Sequence, residues 1–145
     1  MATRLMDSPG MAEEAFYQAF ERGDVDAMMT VWATSPDISC VHPMGPLLRG
    51  PDAIRASWRE IFRGQLPRRF EIECLSRFEQ GELAIHVLRE TILLPLQRQR
   101  LPALITTNVY RREAGVWRMV MHHASVTRRG PQEASPSDVP AATRH

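Results

Sequence analysis

At 145 residues, 43% hydrophobic and 24% charged, the chain is long enough for one domain around an apolar core, with the composition of an ordinary globular protein. Its formal net charge of +1 offers no electrostatic basis for nucleic-acid binding. No apolar run approaches the length of a membrane span, and the N-terminus lacks a signal-peptide core.

The only cysteines, Cys40 and Cys74, lie 34 residues apart with no metal-ligand spacing. Both sit in apolar, strand-like contexts, so buried free thiols and a cytoplasmic protein are expected. No glycine-rich phosphate loop occurs, and no metal or cofactor is expected.

In chain order, Ser8-Pro9 reads as a helix start. Ala12, Ala15, Phe16, Ala19 and Phe20 then repeat at helical spacing. Gly23 is a left-handed cap and Asp24 caps a second helix, running to about Ala33 with Val25, Met28, Met29 and Trp32 on one side. Residues Ile38 to His42 read as a short strand, which Leu47-Leu48-Arg49 can meet in a ragged hairpin. A third helix follows from Pro51 to Arg63 with Ile54, Trp58, Ile61 and Phe62 as its stripe.

Four segments rich in β-branched and aromatic residues come next: 70–78, 83–94, 101–112 and 116–127. Short turn-forming breaks separate them, which predicts an antiparallel meander. Helices before strands implies an α+β domain with helices on one face of a sheet, spanning residues 9–127. Residues 1–8 are expected to be flexible, and the aperiodic, Pro- and Ser-rich residues 128–145 to be a disordered tail.

Phe16-Tyr17-x-Ala19-Phe20-x-x-Gly23-Asp24-x-Asp26, Trp32-Ala33, His42-Pro43-x-Gly45 and Gly50-x-x-Ala53-Ile54-x-x-x-Trp58 together resemble the SnoaL-like branch of the nuclear transport factor 2-like superfamily. The ending from Gly115 to Ser125 resembles the last strand of that branch. The resemblance implies a cone: three N-terminal helices packed on a curved, mostly antiparallel sheet, with a ligand pocket at the mouth. It does not imply one activity, since the superfamily holds isomerases, cyclases, dehydratases and non-catalytic binding or assembly domains.

In a comparison with ketosteroid isomerase, a standard case of pKa tuning, His42 stands where that enzyme keeps its aspartate base. Its oxyanion tyrosine matches Phe16. Tyr17 lies one residue on, a rotation of about 100°. Its second oxyanion donor falls near Thr107 or Asn108. Steroid isomerisation is therefore disfavoured.

A strand-end imidazole suits proton transfer near neutral pH, so His42 is the candidate acid–base residue. On the last strand, the resemblance turns Arg118, Val120, His122 and Ala124 inward, making His122 a second catalytic candidate and Val120 a lining residue. It leaves Trp117, Met119, Met121 and His123 on an apolar outer face, which predicts a homodimer. On the second long strand it turns Ile85, Val87, Arg89 and Thr91 inward. There Arg89 would select an anionic or carbonyl-bearing ligand.

Asn108 would orient that ligand, and Tyr17 and Trp58 would line its apolar part. Cys40 and His42 share a strand face but stand roughly 6.6 Å apart along it, too far for a hydrogen bond. Two readings remain open: a small-molecule pocket protein, enzymatic through His42, or a non-catalytic binding or dimerisation module.

Overall fold

The first helix, α1 (Pro9–Arg22), begins where Ser8 Oγ accepts the Met11 N–H at 3.2 Å, and ends where Gly23 turns left-handed at φ 65°. The second, α2 (Val25–Val31), starts on Asp24, whose carboxylate accepts the Ala27 N–H at 3.0 Å. It stops earlier than its apolar spacing suggests: Trp32 is already extended, and its backbone bridges in parallel to Met119. A 14-residue α3 (Gly50–Arg63) buries Ile54, Trp58 and Phe62. These observations come from a computed structural model describing residues 6–64 and 67–127. The tail expected at 128–145 and residues 1–5 lie outside the described residues. Within the segment expected to be flexible, Met6 is buried and its carbonyl accepts the Trp117 N–H at 2.9 Å.

The strands are β1 (Ser39–Val41), β2 (Leu47–Arg49), β3 (Arg69–Gln80), β4 (Leu83–Leu94), β5 (Gln99–Arg100), β6 (Leu104–Glu113) and β7 (Val116–Val126). They form a sheet in the order β2-β1-β7-β6-β4-β3, with β5 paired to β4. The meander β3-β4-β6-β7 is antiparallel, as the spacing of turns predicts. Between β1 and β7 the pairing is parallel, with Cys40 opposite His122. The architecture is α+β, three helices on a curved, open, mixed sheet.

Two β-bulges set which side chains face the helices. On β7, Val109 pairs with Met121 and Tyr110 with Met119, so Val120 is the extra residue. A bulge moves the side-chain alternation by one position. Trp117 and Met119 therefore point inward before it, and His122 and Ala124 after it; all four are buried. The single uninterrupted alternation expected for β7 is thus corrected: Trp117 and Met119 belong to the core, while Arg118 donates to the Thr30 carbonyl at 2.5 Å from a half-exposed position. The second bulge, at Leu75 on β3, brings Arg77 and Glu79 onto the inward side, opposite His86 and Ala84.

From Ala84 to Glu90 the alternation of β4 is also the reverse of the expected one, whereas Thr91, expected inward, is buried. Ala84, His86, Leu88 and Glu90 are buried, whereas Ile85, Val87 and Arg89 are half-exposed on the outer face. Among the thiols, Cys40 is buried as expected and Cys74 is exposed.

The His42–Gly45 turn closes β1. Gly45 N–H donates to the His42 carbonyl at 2.8 Å, with Pro43 preset for its position and Met44 at φ 63°. A turn of this hand wants glycine at its third position, and Met44 is 89% exposed, so its side chain gains no burial. Met44→Gly is expected to raise stability by about 0.5–1 kcal/mol, since relief of the left-handed strain outweighs the entropy of glycine. Urea midpoints of the two proteins check this.

Candidate functional site

Strand register assembles the interior. On β6, Thr106, Asn108 and Tyr110 face inward, with Asn108 opposite His86 of β4 on one side and His122 of β7 on the other. Helix α1 crosses above and lowers Phe16 and Tyr17 onto this row. From these placements comes one continuous hydrogen-bonded line. His122 Nδ1 donates to Asn108 Oδ1 at 2.7 Å, Asn108 Nδ2 donates to the Tyr17 hydroxyl at 3.1 Å, and that hydroxyl donates to Glu90 Oε2. All four residues are almost completely buried.

Burial governs their ionisation. Glu90 is pushed up to about 7, desolvation outweighing the hydrogen bond from Tyr17. Tyr17 is raised well above the ordinary phenol value by desolvation first and then by the Glu90 charge. His122 is driven down to about 3 by burial, with smaller contributions from His42 and His123. At neutral pH the line therefore holds a neutral imidazole at one end and a carboxyl balanced between its two states at the other.

His42 lies nearer the rim, half-buried at the end of β1, and burial lowers its pKa. Its Nε2 is 2.9 Å from Ser57 Oγ, and the Ser57 hydroxyl donates to the Ile54 carbonyl at 2.7 Å. Cys40 Sγ is 3.6 Å from the same nitrogen, because the imidazole folds back along the strand. This is closer than strand geometry alone predicts. The thiol is pushed up to about 12 by burial, so it stays protonated and is no nucleophile at neutral pH. The His42 ring meets Trp58 edge to face at 4.8 Å between centroids, and His122 at 6.2 Å.

The sequence-derived residues thus divide. His42, His122 and Trp58 come together, and Tyr17 and Asn108 join them through the hydrogen-bonded line. Val120 is half-buried at the bulge and packs against the core. Arg89 does not join: from the outer face it pairs with Glu73 of β3, because β4 presents its other alternation inward. Ser57 and Glu90 were missed. The signal for Glu90 was a carboxylate in the set His86-Leu88-Glu90, on a strand whose two faces are about equally apolar.

A second buried polar cluster lies further along β4. His86 is wholly buried, its Nδ1 2.6 Å from Glu13 Oε1 of α1 and its Nε2 3.4 Å from Glu79 Oε2 of β3. It ties the first helix to the edge strand. Among the described residues no group of three or more His, Cys, Asp or Glu is placed to hold a metal ion, and no helix is long and apolar enough to cross a membrane.

Space is distributed unevenly around this framework. A groove of about 310 Å³ between α1 and β3 is lined by Glu13, Tyr17, Glu21, Phe70 and Ile72 among others, and so reaches the Tyr17 end of the line. Another, of about 220 Å³, lies between α1 and α2. Neither borders His42 or His122, around which Phe16 and Trp58 close in, their centroids 4.9 and 5.9 Å from that of His122.

The SnoaL-like domain matches residues 12–129. The chain belongs to the SnoaL-like family. A structure from Thiobacillus denitrificans, named for the calcium/calmodulin-dependent protein kinase type II association domain, is 37% identical with a TM-score of 0.82, covering 87% of this chain and 100% of that one. A Streptomyces avermitilis structure, named as a dehydratase of the NTF2-like family, is 29% identical with a TM-score of 0.74, covering 82% and 93%. F-box protein SKIP8 of Arabidopsis thaliana is 27% identical over 120 residues. The match takes in 77% of this SnoaL-like chain but 46% of SKIP8, so the chain spans about half the length of that curated relative. Similarity to the two structures extends over nearly the whole described domain, and with it the NTF2-like fold.

Proposed function

We propose that this SnoaL-like chain is a small-molecule pocket protein that moves protons on a small, largely apolar ligand carrying one or two oxygen functions, in the manner of an isomerase, cyclase or dehydratase. The observation that carries the reading is the buried line His122–Asn108–Tyr17–Glu90. Burying ionisable groups lowers stability, so a domain that only needs to pack gains nothing from it. Perturbed titratable groups held in such a row are what proton transfer requires. His42, neutral and nearest the rim, acts as general base. Tyr17 and Glu90 hold or return the proton, and His122 and Asn108 orient. The dehydratase name of the S. avermitilis structure is in keeping with this chemistry.

Native mass spectrometry of the protein purified without additives tests the reading. A retained molecule of a few hundred daltons is expected, lost or weakened in His42→Ala while circular dichroism stays unchanged. An empty protein whose ring signals ignore a library of small oxygenated compounds ends it.

A second reading, a non-catalytic association module, has its own support. Phe16, Phe20, Trp58, Phe62 and Phe70 interlock with centroids 4.5–6.0 Å apart and fill much of the cone. The outer sheet face shows half-buried Ile85, Val87, Val109 and Met121 beside exposed Phe78, an apolar surface that a second copy of the chain would cover. Sedimentation equilibrium is expected to give a dimer, and Val109→Glu a monomer.

A further inference from the structure

The two histidines of the site have their protons assigned by their neighbours. The Ser57 hydroxyl has one proton, and the Ile54 carbonyl receives it at 2.7 Å. What Ser57 Oγ can offer His42 Nε2 at 2.9 Å is then a lone pair, so Nε2 carries the hydrogen. The contact with Cys40 Sγ, 3.6 Å and softer, adds a weak second acceptor. Nδ1 of the neutral His42 ring is left bare.

At His122 the assignment runs the other way. The Asn108 amide is committed on its nitrogen side to the Tyr17 hydroxyl, so its oxygen faces His122 Nδ1. A carbonyl oxygen only accepts, hence Nδ1 carries the hydrogen and Nε2 is bare. Neither His42 Nδ1 nor His122 Nε2 has a hydrogen-bond partner among the described residues. The indole N–H of Trp58, whose ring meets that of His42 edge to face, is buried without a partner. The three rings stand 4.8, 5.9 and 6.2 Å apart in pairs. An unpaired buried donor is uncommon in folded proteins and calls for a partner.

We propose that Ser57 and Asn108 are positioning residues that hold His42 and His122 in opposite neutral tautomers, leaving His42 Nδ1 and His122 Nε2 as bare acceptors on rings that neighbour Trp58, a set that takes a hydroxyl group. A hydroxyl donates one hydrogen bond and accepts others, so it satisfies an imidazole nitrogen and the indole together. A ketone oxygen can serve the indole alone. The ligand half of this inference rests on the pocket reading above; the tautomer half does not.

Long-range proton–nitrogen NMR of the imidazole rings tests both halves. In the wild-type protein at neutral pH, His42 is expected to show a protonated Nε2 and a bare Nδ1, and His122 the reverse. Ser57→Ala is expected to shift His42 toward a mixture of tautomers, Ser57→Thr to restore the wild-type pattern, and Cys40→Ala to leave it unchanged. A wild-type His42 protonated on Nδ1 overturns the assignment even if Ser57→Ala does not fold, and so does a folded Ser57→Ala with an unaltered His42 pattern. Cyclohexanol and cyclohexanone then serve as matched probes. Cyclohexanol is expected to move the two bare nitrogens and the Trp58 N–H at concentrations where cyclohexanone does not. Equal shifts from both overturn the hydroxyl preference and leave the pocket standing. No shift from either overturns the pocket and the preference together, with the tautomers still read from the protein alone.

Discussion

Trp58→Ala is expected to lower the unfolding free energy by about 3–5 kcal/mol, the range for truncating a fully buried aromatic. The ring is wholly buried. It joins three parts of the domain, meeting Phe16 and Phe20 of α1 at 5.6 and 4.8 Å, Phe62 within α3 at 5.5 Å, and His42 at the end of β1 at 4.8 Å. Little around it can collapse into the void, because the neighbours are themselves rings held from two sides. The loss is a large fraction of the about 5–15 kcal/mol that stabilises an ordinary domain. Urea unfolding measures it, and added indole, which fits the space left, is expected to recover part of the midpoint. A loss below about 1 kcal/mol would mean that the ring is not the keystone its contacts imply.

The second large effect depends on pH. The folded-state pKa of Glu90, about 7, lies above its ordinary 4.5, so the folded chain holds that proton more tightly than the unfolded one. Its contribution to stability is most favourable below about 4.5 and is lost as pH rises through 7. Above that, a buried carboxylate costs about 3 kcal/mol. His122 has the opposite sign. Its folded value, about 3, lies below the ordinary 6.5, so its contribution is full above 6.5 and lost as pH falls toward 3. Between 4.5 and 6.5 the two slopes oppose, which flattens the wild-type profile.

Glu90→Gln keeps an oxygen that accepts from Tyr17 and removes the titration. It is expected to match the wild type near pH 4.5 and to exceed it by about 2–3 kcal/mol at pH 8. Urea unfolding at both pH values checks this. A difference between the two proteins that stays constant with pH would place Glu90 outside the linkage.

Much of the fold was legible because the elements announce themselves locally. Ser8-Pro9, Gly23 and Asp24 cap where they should, and the stripe Ile54, Trp58, Phe62 is buried as its spacing requires. What local pattern could not supply was phase. Val120 reads like any other strand residue, yet as a bulge it puts Met119 and His122, three positions apart, on the same side. On β4, Ile85 and Val87 are as apolar as Ala84 and Leu88, so hydropathy does not choose between the faces. An inherited alternation chose wrongly there and carried Arg89 inward with it. His42 could be placed at a strand end from Pro43 and Gly45, but not beside Ser57, since that contact depends on the docking of α3. Glu90 remained hidden for the same reason as Arg89.

The parallel pairing of β1 with β7 has a consequence in time. Cys40 meets a partner, His122, that is synthesised 82 residues later, and Ala33 waits for the Met119 carbonyl in the same way. Until β7 has left the ribosome, the β1–β2 hairpin has no strand of the main sheet to pair with. Contacts of such long sequence separation slow folding. Nascent chains stalled before residue 116 are therefore expected to remain open to protease, and protection to arrive in one late step, when the last strand slots between two that have been waiting for it.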